Sequence, residues 1–163
     1  PGWLAGGDSV YTSLSGTVDW KHERRVMYDR EVDVPRLTAW FEPGTAPALL
    51  REMSSALSKR YGARLDRVST AWYRDGRDSV AWHRDKVMRD LSSSIVAIVS
   101  LGQPRRFLVR PFGGGASRAW TVGGGDLLVM GGSIQSLYEH CVPKARDGGP
   151  RISIMFRHGD SAL

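Results

Sequence analysis

The stretch AWHRD at residues 81–85 places a histidine and a carboxylate two positions apart. Side chains at positions i and i+2 of an extended strand project from the same side, so His83 and Asp85 can face one point. With His140 as a distant third ligand, the set is two histidines and one carboxylate, which is typical of a non-haem Fe(II) site with open coordination positions. A His-x-Asp triplet alone also arises by chance, with an ordinary exposed histidine.

The composition is that of a globular protein, and 163 residues are enough for one domain, residues 1–163, with a buried core. Cys141 is the only cysteine, which excludes a disulfide framework and a cysteine-based zinc cluster. We therefore expect a reducing, cytoplasmic location. No long apolar run or export signal is present, so we expect no membrane association, and we expect a monomer. The net charge of +6 fits a polyanionic partner such as nucleic acid, although many basic proteins bind nothing specific.

The N-terminal residues 1–45 interleave six aromatic residues with four arginines. Short apolar runs broken by Gly and Pro predict loops and brief strands here rather than long helices. Aromatic rings next to arginines could stack bases and bind phosphates. They could equally be core aromatics of a domain whose arginines face water.

A helix is predicted over residues 47–61. Thr45 is a plausible N-cap, Pro47 suits the first turn, and Gly62 suits the position after the last turn. The apolar residues recur at helical spacing and predict a stripe laid against a sheet: Leu50, Met53, Leu57 and Tyr61.

Seven strand-like segments follow the helix, separated by polar or glycine-rich turns. They are Val68–Tyr73, Ser79–Asp85, Ser94–Leu101, Arg106–Arg110, Trp120–Val122, Asp126–Met130 and Arg151–Arg157. The glycine runs at 113–115 and 123–125 are interpreted as turns, because a phosphate loop would lead into a helix and a strand follows here. Many short strands after one helix predict a mainly β fold with a flanking helix (α+β), built as a barrel or jelly roll.

The last strand carries two arginines on one face. Arg151, Ser153, Met155 and Arg157 alternate with three large apolar residues. Two guanidinium groups facing one pocket would repel each other unless an anion lies between them, and a dicarboxylate meets that need. The alternative is that Arg157 only ends the strand in solvent.

Jointly, these motifs resemble the AlkB family of 2-oxoglutarate- and Fe(II)-dependent dioxygenases, in its bacterial, nucleic-acid dealkylation repair type. The similarity rests on His83-x-Asp85, His140, the strand 151–157 and the YRDG segment 73–76, and it runs from about residue 20 to residue 157. It implies a double-stranded β-helix, or jelly roll, with a catalytic core at 64–158 and a substrate-binding portion at 1–45.

The resemblance also implies residue roles. His83, Asp85 and His140 match the ligands of Fe(II), where O2 would also bind. The residues that match co-substrate contacts are Arg151, for the distal carboxylate of 2-oxoglutarate, Tyr73, for its hydroxyl contact, Ser153 and Arg157.

Substrate contacts are implied less directly. Tyr28 lines up with the aromatic residue that stacks on the flipped base, and Trp82 and Lys86 flank the first two iron ligands. The chain departs from the family at three positions. Ala71 and Ser153 stand where the family often has Asn, and Lys86 stands where an acidic residue is common, which leaves the base preference open.

The expected activity is oxidative removal of N-methyl groups from bases such as 1-methyladenine and 3-methylcytosine, with release of formaldehyde, succinate and CO2. DNA is the expected substrate, and the base must be flipped out or single-stranded to reach the metal. The alternatives are a hydroxylase or demethylase acting on RNA, protein or a small molecule, and a non-catalytic nucleic-acid binder. A zinc hydrolase would leave Arg151 and Arg157 without a task.

Overall fold

The computed structural model describes residues 1–27, 30–85 and 94–158. These residues form three helices and ten strands, a mainly β arrangement. Their bounds are α1 Gly7–Thr17, β1 Lys21–Met27, β2 Arg30–Trp40, α2 Ala48–Tyr61, β3 Arg67–Tyr73, β4 Val80–His83, β5 Ile95–Gly102, β6 Arg105–Pro111, β7 Arg118–Val122, β8 Asp126–Gly131, α3 Ser133–Leu137, β9 Tyr138–Val142 and β10 Arg151–Arg157.

The strands make two antiparallel sheets. The larger has the order β1-β2-β3-β10-β5-β8, and the smaller has the order β4-β9-β6-β7. One buried apolar cluster joins the facing sides of both sheets, with Tyr73 and Ile98 from the large sheet against Phe107 and Val142 from the small one. This two-sheet sandwich is the predicted jelly roll, so the fold class is confirmed.

The second core lies on the outer face of the large sheet, where α2 packs. Leu50, Met53 and Leu57 are buried there, as the helical spacing predicts, and Tyr61 is partly buried. Gly62 ends α2 at a φ of 61°, a left-handed conformation that suits glycine. The predicted N-cap is wrong: the capping position is Pro47, and the Thr45 hydroxyl instead donates to the Glu42 carbonyl.

The N-terminal prediction of loops and brief strands is also wrong. Residues Gly7–Thr17 form helix α1, and β2 is eleven residues long. The helix buries only Leu14 fully, and Val10 and Tyr11 pack partly against the outer core. Such a short apolar face among serines, threonines and glycines gives little helical periodicity in the sequence. No helix in the described part of the chain is long and apolar enough to cross a membrane.

Strand β10 contributes side chains to both cores. Its bounds and its alternation are those predicted. Ile152, Ile154 and Phe156 enter the outer core, whereas Met155 faces the cluster between the sheets. The strand lies in the middle of the large sheet, paired with β3 on one side and β5 on the other. Arg151, Ser153 and Arg157 are therefore presented to the space between the sheets.

Candidate metal and co-substrate site

Three metal-binding side chains meet at one end of the small sheet. His83 on β4 and His140 on β9 are directly opposite each other in the strand pairing, and their ring centroids are 4.3 Å apart. Asp85 follows two residues later, beyond the end of β4, so the predicted strand Ser79–Asp85 is shorter than expected. One ligand atom from each of the three residues lies within 4.8 Å of the others.

The two oxygens of Asp85 have different surroundings. Oδ1 accepts a hydrogen bond from Arg157 Nη2 at 2.9 Å. Oδ2 is buried, lies 3.7 Å from His140 Nε2, and has no hydrogen-bond partner within the described residues. A buried carboxylate oxygen without a partner is costly, and a bound cation would remove that cost.

The two imidazoles are oriented by their neighbours. His83 Nδ1 lies 2.8 Å from the Ala81 carbonyl oxygen. If the proton is assigned to Nδ1, which then donates to this carbonyl, the lone pair of Nε2 is left for a metal. The His140 ring stacks on Phe107, with centroids 5.3 Å apart and planes inclined by 20°.

The protonation states favour metal binding. Burial, followed by the neighbouring His83, lowers the pKa of His140 to about 4. Burial also lowers the pKa of His83. For Asp85, burial opposes ionisation, but Arg157 and His140 outweigh it and lower the pKa below the usual range. Two neutral imidazoles and a carboxylate are the forms that bind a cation, so the donor set fits Fe(II).

Arg151 is the largest fully buried side chain, with 0% exposure. Its Nε donates to Ser100 Oγ at 2.6 Å, but Nη1 and Nη2 find no hydrogen-bond partner in the part of the chain that the structure describes. Burial lowers the pKa of Arg151, yet a guanidinium stays charged in proteins. Two buried terminal nitrogens without partners fit a carboxylate, which Arg binds through two parallel hydrogen bonds.

The other predicted co-substrate residues adjoin Arg151. Tyr73 is its pairing partner on β3, and the Arg151 guanidinium carbon lies 5.3 Å from the centre of the Tyr73 ring. Ser153 is buried and lies opposite Ala71 on β3. Two of the three positions at which the chain departs from the family pattern, Ala71 and Ser153, are therefore neighbours, and both carry small side chains close to Arg151.

Arg157 does not end its strand free in solvent. Besides its bond to Asp85, its Nη1 donates to Ser69 Oγ at 3.0 Å. The anionic partner of Arg157 is thus Asp85, a carboxylate of the protein itself. Arg151 has no carboxylate partner among the described residues, and two of its nitrogens have no hydrogen-bond partner there. That a dicarboxylate lies between the two guanidinium groups stays a prediction.

Comparison with known proteins identifies this arrangement. A family model described as 2OG-Fe(II) oxygenase superfamily matches residues 8–157. The chain belongs to this superfamily. Enzymes of this superfamily use Fe(II), 2-oxoglutarate and O2, so the predicted family and its cofactors are confirmed.

The similar proteins also confirm the resemblance to AlkB. The chain is 29% identical over 94% of its length to the bovine alpha-ketoglutarate-dependent dioxygenase alkB homolog 3 and covers 62% of that protein. It is 27% identical to the human protein of the same name and covers 60% of it. This oxygenase chain thus spans about three fifths of these curated relatives. The bacterial qualifier stays a prediction.

Solved structures show the same fold. A 2OG-Fe(II) oxygenase family oxidoreductase from Burkholderia pseudomallei superposes with a TM-score of 0.62 at 13% identity, over 91% of this chain and 76% of that one. The structure of OsALKBH1 superposes with a TM-score of 0.54 at 19% identity, over 72% of this chain and 66% of that one. At these identities the likeness supports the oxygenase fold alone.

One buried residue of this oxygenase was missed by sequence reasoning. Arg105, at the start of β6, is 3% exposed and donates hydrogen bonds to the carbonyls of Asp75, Asp78 and Pro143 at 2.8–3.0 Å. The first two belong to the connection from Tyr73 to β4, and the third follows β9. Arg105 therefore ties together the chain segments that lead to both histidines. Arg105 lies two residues before Phe107, which must face inward, so strand alternation places Arg105 on the same inward face. This was the signal in the sequence for its burial.

Of the three predicted substrate residues, only Trp82 lies within the described part of the chain. Trp82 is half-buried, and the guanidinium carbon of Arg110 lies 4.0 Å from the centre of its ring. Arg110 also donates to Glu139 at 2.6 Å. Tyr28 and Lys86 lie outside the described residues, so their predicted substrate contacts stay predictions.

Proposed function

We propose that the protein oxidatively removes N-alkyl groups, chiefly methyl, from nucleic-acid bases such as 1-methyladenine and 3-methylcytosine, in repair of alkylated DNA. The observation that carries the oxidative chemistry is the pair formed by the Asp85 oxygen without a partner and the buried Arg151 with two unpaired nitrogens. The substrate class is supported by the AlkB relatives and by the net charge of +6.

Different residues would bind the metal and the co-substrate. Fe(II) with 2-oxoglutarate supplies the oxidising chemistry, in which one atom of O2 enters succinate with loss of CO2 and the other hydroxylates the methyl group. His83, Asp85 and His140 would hold the metal, and Arg157 would keep Asp85 turned toward it. Arg151 would hold the far carboxylate of 2-oxoglutarate. An N-hydroxymethyl product then releases formaldehyde and leaves N–H on the repaired base.

The surroundings of the site support such chemistry. Phe107 and Val142, both buried, pack between the sheets close to the paired histidines. Such apolar walls exclude water from the reacting groups. We further propose that residues 64–158 form the catalytic core and residues 1–45 the substrate-binding portion of one domain, and that the base is flipped out or single-stranded when it reacts.

The test is formaldehyde release from oligonucleotides that each carry one 1-methyladenine or 3-methylcytosine, as DNA and as RNA, single- and double-stranded. We expect equal amounts of formaldehyde and succinate, and loss of both in His83→Ala. His22→Ala serves as the matched control, because His22 is exposed and lies outside the triad. Succinate release that no methylated oligonucleotide stimulates would direct the assignment to a protein or small-molecule substrate.

A further inference from the structure

Trp40, the last residue of β2, is unusually exposed for an aromatic side chain that is held in place. Its exposure is 56%. Its indole Nε1 donates to Glu23 Oε1 at 3.1 Å, and the Thr38 hydroxyl donates to the same oxygen. The large sheet thus fixes the orientation of an indole that is more than half in solvent. Single exposed apolar residues are common, so the exposure of Trp40 alone indicates no function.

Trp40 lies on the face of the sheet that carries the site. It pairs with Ser69 on β3, and Ser69 accepts the hydrogen bond from Arg157, which in turn holds Asp85. Trp40 lies on β2, two strands from β10. Neighbouring strands are about 5 Å apart, so the two strands are separated by roughly 10 Å. Along this line the Asp85 side chain is 8% exposed, the Arg157 side chain 18% and Ser69 1%, whereas Trp40 is 56% exposed. Trp40 is therefore the solvent-facing end of a series of hydrogen bonds and strand pairings that begins at a metal ligand.

The described side chains around the ring are polar, and they include one carboxylate and one guanidinium group. The guanidinium carbon of Arg67 lies 5.7 Å from the Trp40 ring centroid, on the same face. The neighbouring positions among the described residues are Thr38, Ser69 and Glu23, so within that part of the chain the indole does not form part of an apolar patch of the kind that protein partners cover. A flat aromatic surface beside a cation, on a basic protein, is complementary to a nucleobase and its phosphate.

We propose that Trp40 is a stacking platform for a base of a single-stranded nucleic acid whose methylated base enters the metal site, and that Glu23 sets the plane of the indole. The proposal rests on the proposed function, since it names a binding position for that substrate. The occupant is a base next to the reacting one, because Trp40 stands two strands away from the strand that carries Arg157.

The experiment measures fluorescence anisotropy of a labelled single-stranded oligothymidine with the metal-free protein, over a series of salt concentrations. Trp40→Leu keeps an apolar side chain but removes the ring, and we expect it to weaken binding about 5- to 100-fold. Trp40→Phe should restore most of the affinity. The slope of log Kd against log salt should not change in Trp40→Leu, because no phosphate contact is lost. Trp120→Leu, at a ring that is 45% exposed on β7, the edge strand of the small sheet, is the matched control and should bind as wild type.

The outcomes separate this inference from the proposed function. Wild-type binding that Trp40→Leu leaves unchanged overturns the platform alone. A loss that Trp40→Phe does not restore, or that comes with a changed salt slope, also overturns it, because stacking would then not be the cause. Absence of oligonucleotide binding by the wild type overturns the platform together with the nucleic-acid substrate. Concentration-dependent self-association that Trp40→Leu abolishes would instead assign the ring to a contact between two copies of the chain.

Discussion

Arg157 orients Asp85 through one oxygen only. Nη2 of Arg157 donates to Oδ1 at 2.9 Å, while Oδ2 is buried without a hydrogen-bond partner in the residues that the structure describes. The same guanidinium is anchored to β3 through Ser69. A carboxylate fixed in this way presents its second oxygen to a cation without having to choose a rotamer on binding.

We therefore predict that Arg157→Met weakens metal binding by about 10- to 100-fold, since Asp85 loses both its orientation and the charge that lowers its pKa. Anaerobic titration calorimetry of the metal-free protein with Fe(II) or Mn(II) measures this. Ser69→Ala removes only the anchor of Nη1 and should cost much less. Equal affinity of wild type and Arg157→Met would contradict the role given to Arg157.

Replacement of Arg151 should have opposite effects on the stability of the protein and on its binding of 2-oxoglutarate. Its buried guanidinium has two unpaired nitrogens, so Arg151→Met should raise the free energy of unfolding of the metal-free protein, by about 1–3 kcal/mol. The same variant should lose binding of 2-oxoglutarate. Urea unfolding with and without 2-oxoglutarate checks both effects, because the ligand should stabilise only the wild type. A destabilised variant that still binds 2-oxoglutarate would refute this reading.

Arg105 is predicted to be a positioning residue. Arg105→Met leaves three carbonyl groups without their donor, and we expect a loss of about 2–5 kcal/mol in the free energy of unfolding. Arg105→Lys should recover part of it. Arg106→Met, at the exposed neighbouring position, should change stability little. Because Arg105 holds the segment after Tyr73, the Kd for 2-oxoglutarate should also rise in Arg105→Lys, where the fold is retained.

Acid should destabilise the metal-free protein through His140. The ordinary pKa of 6.5 is lowered to about 4 in the folded chain, so between these pH values the unfolded chain binds a proton that the folded chain does not. The free energy of unfolding therefore falls as the pH falls from 6.5 to 4. Urea unfolding at several pH values measures the slope. His140→Asn should make it shallower.

The sequence predicted most of what depends on strand alternation. The placement of His83 beside Asp85 and the two faces of β10, with Arg151 on one of them, follow from side chains that alternate along a strand. Tyr73 was predicted only from the resemblance to the family. The bounds of β10 and the apolar stripe of α2 were predicted for the same reason: a periodic pattern identifies which residues face the core.

Contacts between distant segments were not predictable from alternation. Alternation with Phe107 indicates that Arg105 faces inward and Arg106 faces water, but it does not show that Arg105 bonds three carbonyls of distant segments. The pairing of Arg157 with Asp85 depends on how β4 ends, and the sequence suggested a longer strand there. Helix α1 was missed because only Leu14 of its eleven residues is fully buried, and tertiary packing rather than periodicity stabilises it.

The central position of β10 has a consequence for how the pocket can change. Its backbone is bonded on both sides, to β3 and to β5, and its outer side chains are part of the main apolar core. Arg151 therefore cannot shift without breaking a ladder of the large sheet. Any widening of the cavity to admit a bulkier reactant must come from the opposite wall, where β4 is only four residues long and its pairing with β9 is irregular between Val80 and His83.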